Sequence, residues 1–144
     1  MLSPAILTAS ELQEVLDSAF PETQQIVVQV TELGVISHLP IDLRHQRPGG
    51  TISGPTLMGL ADSTAWLSVM SRIGPVVLAV TTSLHIDFLR KPALSDIVAT
   101  GEILKLGSRL GVVEVTIRSA TLVDVVAKAQ VTYSIPPSSL RRPT

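Results

Sequence analysis

The run from Pro55 to Gly74 constrains this chain more than any other. It reads as one helix: Ser53-Gly54-Pro55 supplies a small polar N-cap and a proline in the first turn, where a missing N–H costs nothing, and Gly74-Pro75 stops it. Before Arg72 the only ionisable side chain in the run is Asp62. Its helical neighbours three, four and seven positions away are Pro55, Met58, Gly59, Ala65, Trp66 and Val69. The other face offers no lysine or glutamate, only Thr56, Ser63, Thr64, Ser68 and Ser71, so the helix is expected to be enclosed on nearly every side. A carboxylate left unpaired in such surroundings is costly or takes up a proton, so Asp62 needs a partner or a purpose. From the residues alone three readings of it stay open: a reacting group, an acid satisfied by an internal hydrogen-bond network, or a residue facing a subunit contact.

Hydrophobic residues make up 45% of the 144 and charged ones 16%, with a mean hydropathy of +0.42, a surplus of apolar surface that points to self-association. One domain spanning residues 1–144 is expected. A net charge of −1 and 3% aromatic residues leave no electrostatic or stacking footprint for nucleic acid, and none for an anionic membrane surface. The absence of cysteine excludes disulfides, thiolate catalysis and cysteine-held metals. No apolar run approaches the roughly 20 residues of a bilayer span, and no basic region followed by an apolar core opens the sequence. A cytoplasmic address is the expectation.

In chain order, Thr8-Ala9-Ser10-Glu11 starts a short amphipathic helix carrying Val15, Leu16 and Phe20 and ended by Pro21, which makes residues 1–22 a helical leader. Ile26–Val30 and Val35–Leu39, split by Gly34, predict two strands, and Asp42 to Gly50 reads as a loop. From Val76 to Arg90 the alternation puts Val76, Leu78, Val80, Thr82, Leu84, Ile86 and Phe88 toward the helix, and Ala79, Thr81, Ser83, His85 and Asp87 away from it. Strands over 97–106, 111–119 and 123–135 follow, the last turning Ala127, Ala129, Val131 and Tyr133 inward. Pro136-Pro137 closes the core, leaving 137–144 as a flexible tail. The predicted class is α+β, one long central helix wrapped by a curved antiparallel sheet.

The segment from Gly49 to Asp62, taken with Leu84 to Ala93, resembles the hot-dog-fold acyl-CoA thioesterases of the phenylacetic-acid-degradation type, with similarity over roughly Ile26 to Ile135. The resemblance implies a hot-dog fold and hydrolysis of an acyl-CoA thioester to free acid and coenzyme A. A homodimer, or a dimer of dimers, with sites at the subunit interface is expected from the apolar composition and from the helix geometry below. Coenzyme A enters as part of the substrate, and neither a metal nor another cofactor is implied. By position, Gly54 matches the glycine whose backbone N–H binds the thioester carbonyl, and Asp62 the acid that acts as nucleophile or general base. Thr82 matches the strand hydroxyl that orients the water or the acid, and the alternation turns it the same way. Where family members carry a His before that glycine, a second Gly after it and an Asn upstream, this chain has Ser53, Pro55 and Arg47.

Arg90, Lys91, Lys105 and Arg109 sit at strand ends or turns, placed to meet coenzyme A phosphates or simply solvated. Trp66 and Met58 share the stripe of Asp62 as core or as acyl-pocket lining. His38 and His45 lack close ligand spacing, and His85 with Asp87 falls on the face away from the helix. Gly54 and Asp62 are eight positions apart, about 12 Å along one helix at about 1.5 Å per residue. One carbonyl carbon cannot meet both, so a site using both needs a second copy related by a two-fold axis. A binding protein for acyl-CoA or another small ligand, without turnover, is the alternative in a different functional class.

Overall fold

The computed structural model describes residues 2–121 and 123–140. Helix α1 (Ala9–Ala19) leads into β1 (Ile26–Val30) and β2 (Val35–Leu39). A 3-10 turn (Leu43–His45) and the two-residue strands β3 (Gln46–Arg47) and β4 (Thr51–Ile52) come before α2 (Gly54–Ile73). Then follow β5 (Val80–Phe88), β6 (Ile97–Leu106), β7 (Leu110–Ser119) and β8 (Val125–Ser134), and a 3-10 turn over Ser138–Leu140. Six strands form one antiparallel sheet in the order β1-β2-β6-β7-β8-β5, which leaves β1 and β5 at its edges. Helix α2 lies on it, touching β2, β5, β6, β7 and β8. Among the described residues no helix is long and apolar enough to cross a membrane.

The inner face of the sheet follows the period of two. Val113, Val115 and Ile117 of β7 and Ala127, Ala129 and Val131 of β8 are buried, while Glu114 and Lys128 pair across the outer face at 3.3 Å. Every residue of α2 from Thr64 to Arg72 is buried. Its serines can be buried because they return their protons to the helix: Ser68 donates to the Thr64 carbonyl at 2.8 Å and Ser71 to that of Ser68 at 2.6 Å. The Ser68 hydroxyl also accepts the Val35 N–H at 3.1 Å, tying the helix to β2. This contact demands glycine in the sheet below, since a Cβ on Gly101 would collide with Ser68 Oγ and one on Gly34 with the Gly101 carbonyl. Gly101→Ala is therefore expected to destabilise the protein by about 1–3 kcal/mol through overpacking, and an unchanged denaturation midpoint would contradict the close approach.

Three expectations change. The helix is enclosed only in its C-terminal part; Pro55, Met58 and Gly59 near its start are exposed, Met58 by 40%. The segment 42–50 is not all loop, because Gln46 and Arg47 pair with Ile52 and Thr51 as a small ribbon that fixes the approach to α2. The strand expected from Val76 begins only at Val80, after a turn, and carries a bulge at Thr82, where Thr81 pairs with Tyr133 but Ser83 with Thr132.

Helix α1 is firmly seated. Thr8 and Glu11 form a reciprocal capping box, and Leu12 and Leu16 are fully buried. The Gln13 amide acts as a surrogate strand for the edge of β1, donating to the Gln25 carbonyl at 3.0 Å and accepting from the Val27 N–H at 2.7 Å. The helix ends one residue before Phe20, which serves as its C-cap. Of the expected tail, Ser138–Leu140 forms a 3-10 turn, and residues 141–144 lie outside the described residues.

Candidate active site

Asp62 projects from the middle of α2 into a chamber of about 390 Å³ whose apolar walls include Trp66, Val77 and Ala79. The carboxylate is half-buried and its two oxygens differ. Oδ1 accepts from Thr81 Oγ1 at 2.6 Å and from the Tyr133 hydroxyl at 2.7 Å, and the same hydroxyl lies 3.0 Å from the Asp62 carbonyl. Oδ2 accepts no hydrogen bond among the described residues. Neighbouring hydroxyls are engaged elsewhere: Ser63 donates to Gln25 Oε1 at 2.5 Å, and Gln25 in turn donates to Ser37 at 2.9 Å. Asp62 is thus held by one oxygen and open at the other, an arrangement that orients a base without neutralising it.

Burial pushes the Tyr133 phenol above the usual tyrosine range; the neighbouring Thr81 hydroxyl opposes this, and the charge and hydrogen bond of Asp62 add to it. Tyr133 therefore stays a donor. Because the folded state holds this proton more tightly than a free phenol of pKa 10.0, the stability it contributes is complete below that pH and is lost as pH rises above it. Melting temperature followed against pH should show an alkaline decline that Tyr133→Phe flattens.

Thr82, the hydroxyl expected beside the acid, is elsewhere. Its Oγ1 donates to the Thr132 carbonyl at 3.3 Å, and Thr81 takes the position facing Asp62. The bulge is the reason: the extra residue inverts the parity of β5, so Leu84 and Ile86 after it point inward as expected while Thr81, not Thr82, does so before it. Nothing in the alternation marks where a bulge falls. Tyr133 did leave a signal, as the single tyrosine of the chain on an otherwise aliphatic inward stripe.

At the start of α2, Ser53 is the N-cap and accepts the Thr56 N–H at 3.3 Å, while the Leu57 N–H reaches the Ser53 carbonyl at 3.3 Å. Pro55 has no N–H. Of the first-turn donors only the Gly54 N–H has no acceptor among the described residues, and it sits where the helix dipole is positive. Gly54 also suits the helical backbone immediately ahead of Pro55, which other residues resist. It opens on a second cavity of about 650 Å³, shared with Arg47, Phe88, Arg90 and Lys91.

The structure thus groups the expected residues into two sets. Gly54, Arg47, Arg90 and Lys91 line one cavity, and Asp62 and Trp66 line the other. Ser53 stands at the helix cap, its hydroxyl 2.7 Å from Thr56 Oγ1, and Pro55 lines a groove along α2. Arg109 joins neither set; its Nε donates to the Ile135 carbonyl at 2.9 Å at the far hairpin. Trp66 is core and chamber wall at once, 4% exposed and edge-on to Phe20. His85 pairs with Asp87 at 3.1 Å on the exposed face of β5, His38 with Asp96 at 3.1 Å, and His45 lies 3.4 Å from Asp42.

Residues 49–133, which include all of α2 and most of both cavity walls, match the thioesterase superfamily. The chain belongs to that superfamily. A solved structure of a proposed thioesterase from Silicibacter sp. TM1040 is 32% identical, with a TM-score of 0.86 over 95% of this chain and 100% of that one. A thioesterase from Haemophilus influenzae superposes with a TM-score of 0.81 at 20% identity, covering 95% of this chain and 96% of its own. Zebrafish thioesterase superfamily member 2 does so with 0.80 at 17% identity, over 90% and 99% respectively. No curated protein sequence matches the chain. The six-stranded antiparallel sheet on one long helix is the hot-dog fold of these thioesterases, and a thioester-hydrolase role follows from the membership in general terms.

Proposed function

We propose that this superfamily member hydrolyses acyl-CoA thioesters, with Asp62 as the reacting acid. The observation that carries the reading is the asymmetry of its carboxylate, with Oδ1 fixed by Thr81 and Tyr133, Oδ2 accepting no hydrogen bond among the described residues, and the side chain lining the chamber. In the general-base form, Oδ2 takes a proton from water as the water oxygen attacks the carbonyl carbon. The oxyanion that forms accepts from the Gly54 N–H at a helix N-terminus, where the charge is stabilised without reorganisation. Collapse breaks the carbon–sulfur bond, and the proton on Asp62 passes to the coenzyme A thiolate. In the nucleophilic form, Oδ2 attacks the carbon itself and water hydrolyses the resulting anhydride. A single turnover in oxygen-18 water tests for the second, since label in Asp62 requires an anhydride that water opens at the aspartyl carbon.

Gly54 and Asp62 open into different cavities of one protomer, in keeping with their separation along α2. We place the reacting carbonyl between Gly54 of one copy and the acid of a second. The unpaired edge of β5, with Val80, Phe88 and Leu89 half-exposed beside it, is the surface where two copies would join as a homodimer, which can pair again into a tetramer. Arg47, Arg90 and Lys91 then face the coenzyme A phosphates. The motif resemblance supports the phenylacetic-acid-degradation branch. Thiol release from a panel of short, medium, long and aryl acyl-CoAs tests the activity. A monomer in sedimentation that turns over substrate would refute the shared site.

One feature favours a binding protein without turnover. The Ser53 hydroxyl, which takes the place of a carbonyl-binding side chain, is committed to capping Thr56. Acyl-CoA binding with no thiol release across the panel would select that reading.

A further inference from the structure

Phe20 keeps 55% of its surface open, although the helix that ends at it is held by two buried leucines and the Gln13 clamp. Its ring stands edge-on to Trp66, with centroids 5.7 Å apart and planes at 78°, so it is positioned by packing rather than loose. The open sides of the ring face two cavities. Phe20, Asp62 and Ser63 line both the chamber of about 390 Å³ and a groove of about 420 Å³ that runs along α2 past Gly59 and Thr56 to Pro55. In the chamber Asp62, Thr81 and Tyr133 form one hydrogen-bonded polar cluster with Ser63 next to Asp62 in the chain, and Phe20, Trp66, Val77, Ala79 and Val80 supply the apolar lining. That layout suits a ligand with a polar head and an apolar tail.

Resting on the hydrolase reading above, we propose that Phe20 is the residue that limits acyl-chain length. The ring closes the Asp62 chamber off from the groove, so an unbranched apolar chain packs against Trp66 and ends there. The protein therefore favours short and medium acyl groups over long ones. Phe20→Ala joins the chamber to the groove and lets a long chain continue along α2.

The test compares hexanoyl-CoA with palmitoyl-CoA. In Phe20→Ala the ratio of kcat/KM for the long over the short substrate is expected to rise by about tenfold or more, the scale on which apolar pockets discriminate misfit groups; Phe20→Trp should lower it. A second readout needs no turnover. Trp66 is the only tryptophan, so its fluorescence reports chain seating on titration with S-hexyl- and S-hexadecyl-CoA, thioethers with no carbonyl to hydrolyse. The wild type should respond to the hexyl compound and Phe20→Ala to both. Phe20→Leu, which keeps apolar bulk at the helix end, should melt like the wild type and show an intermediate length profile. Unchanged length preference in a wild type and a folded Phe20→Ala that both turn over substrate overturns the wall and leaves hydrolysis standing. No turnover by the wild type, with the thioether preference still shifted, overturns hydrolysis and keeps the wall. A Trp66 signal indifferent to chain length in both proteins overturns the wall as well.

Discussion

Asp62→Asn is expected to lower kcat on the best acyl-CoA by about a hundredfold to ten-thousandfold, the range associated with loss of a positioned base. The amide keeps the size of the carboxylate and can still accept from Thr81 and Tyr133 through its oxygen, so the chamber should keep its shape. What disappears is Oδ2, which has no hydrogen-bond partner among the described residues and which, in the proposed reaction, accepts a proton or attacks carbon. The expected split is therefore a collapse of kcat with KM changed little, because a group used mainly in the transition state has been removed. Full activity in Asp62→Asn would end the assignment of this residue as the reacting acid. A fall traced to lost folding, seen as a lowered melting temperature, would instead point to the internally satisfied structural acid.

The second large effect concerns the two hydroxyls on Oδ1. Thr81→Val and Tyr133→Phe should each reduce kcat by about tenfold, and the double variant by about a hundredfold or less, since groups that position one carboxylate act as a unit. Thr82→Val should remain within about twofold of the wild type, because among the described residues its hydroxyl serves the Thr132 carbonyl alone and contributes about 1 kcal/mol there. The contrast between adjacent threonines is the sharpest check of the bulge in β5. If Thr82→Val were the damaging change and Thr81→Val the silent one, the strand would have the regular alternation after all, and the geometry around Asp62 would need redrawing.

Much of the architecture was readable from local chemistry. The cap at Ser53, the stop at Gly74 and the lone acid between them are local facts, as are the alternating stripes of β7 and β8, and all of these appear in the fold. The acid stood out because a carboxylate on an apolar stripe is costly wherever the stripe is packed. What surrounds it was less legible. A β-bulge adds one residue without any composition signal, so the parity of β5 reversed unseen and the inward threonine was misassigned by one. Tyr133 could be placed on the correct face, but its pairing with Asp62 spans 71 residues and depends on how sheet and helix are superposed.

The sequence by itself determined that a long capped helix with one acid would be buried against antiparallel strands, because capping, periodicity and the cost of an isolated carboxylate act over a few residues. Only the tertiary structure decided which hydroxyls reach that acid, that one of its oxygens has no hydrogen-bond partner among the described residues, and that Gly54 and Asp62 face different cavities. Those outcomes are set by strand register and by the stacking of α2 and α1 on the sheet. Contacts between segments far apart in the chain are governed by packing, which no local pattern encodes.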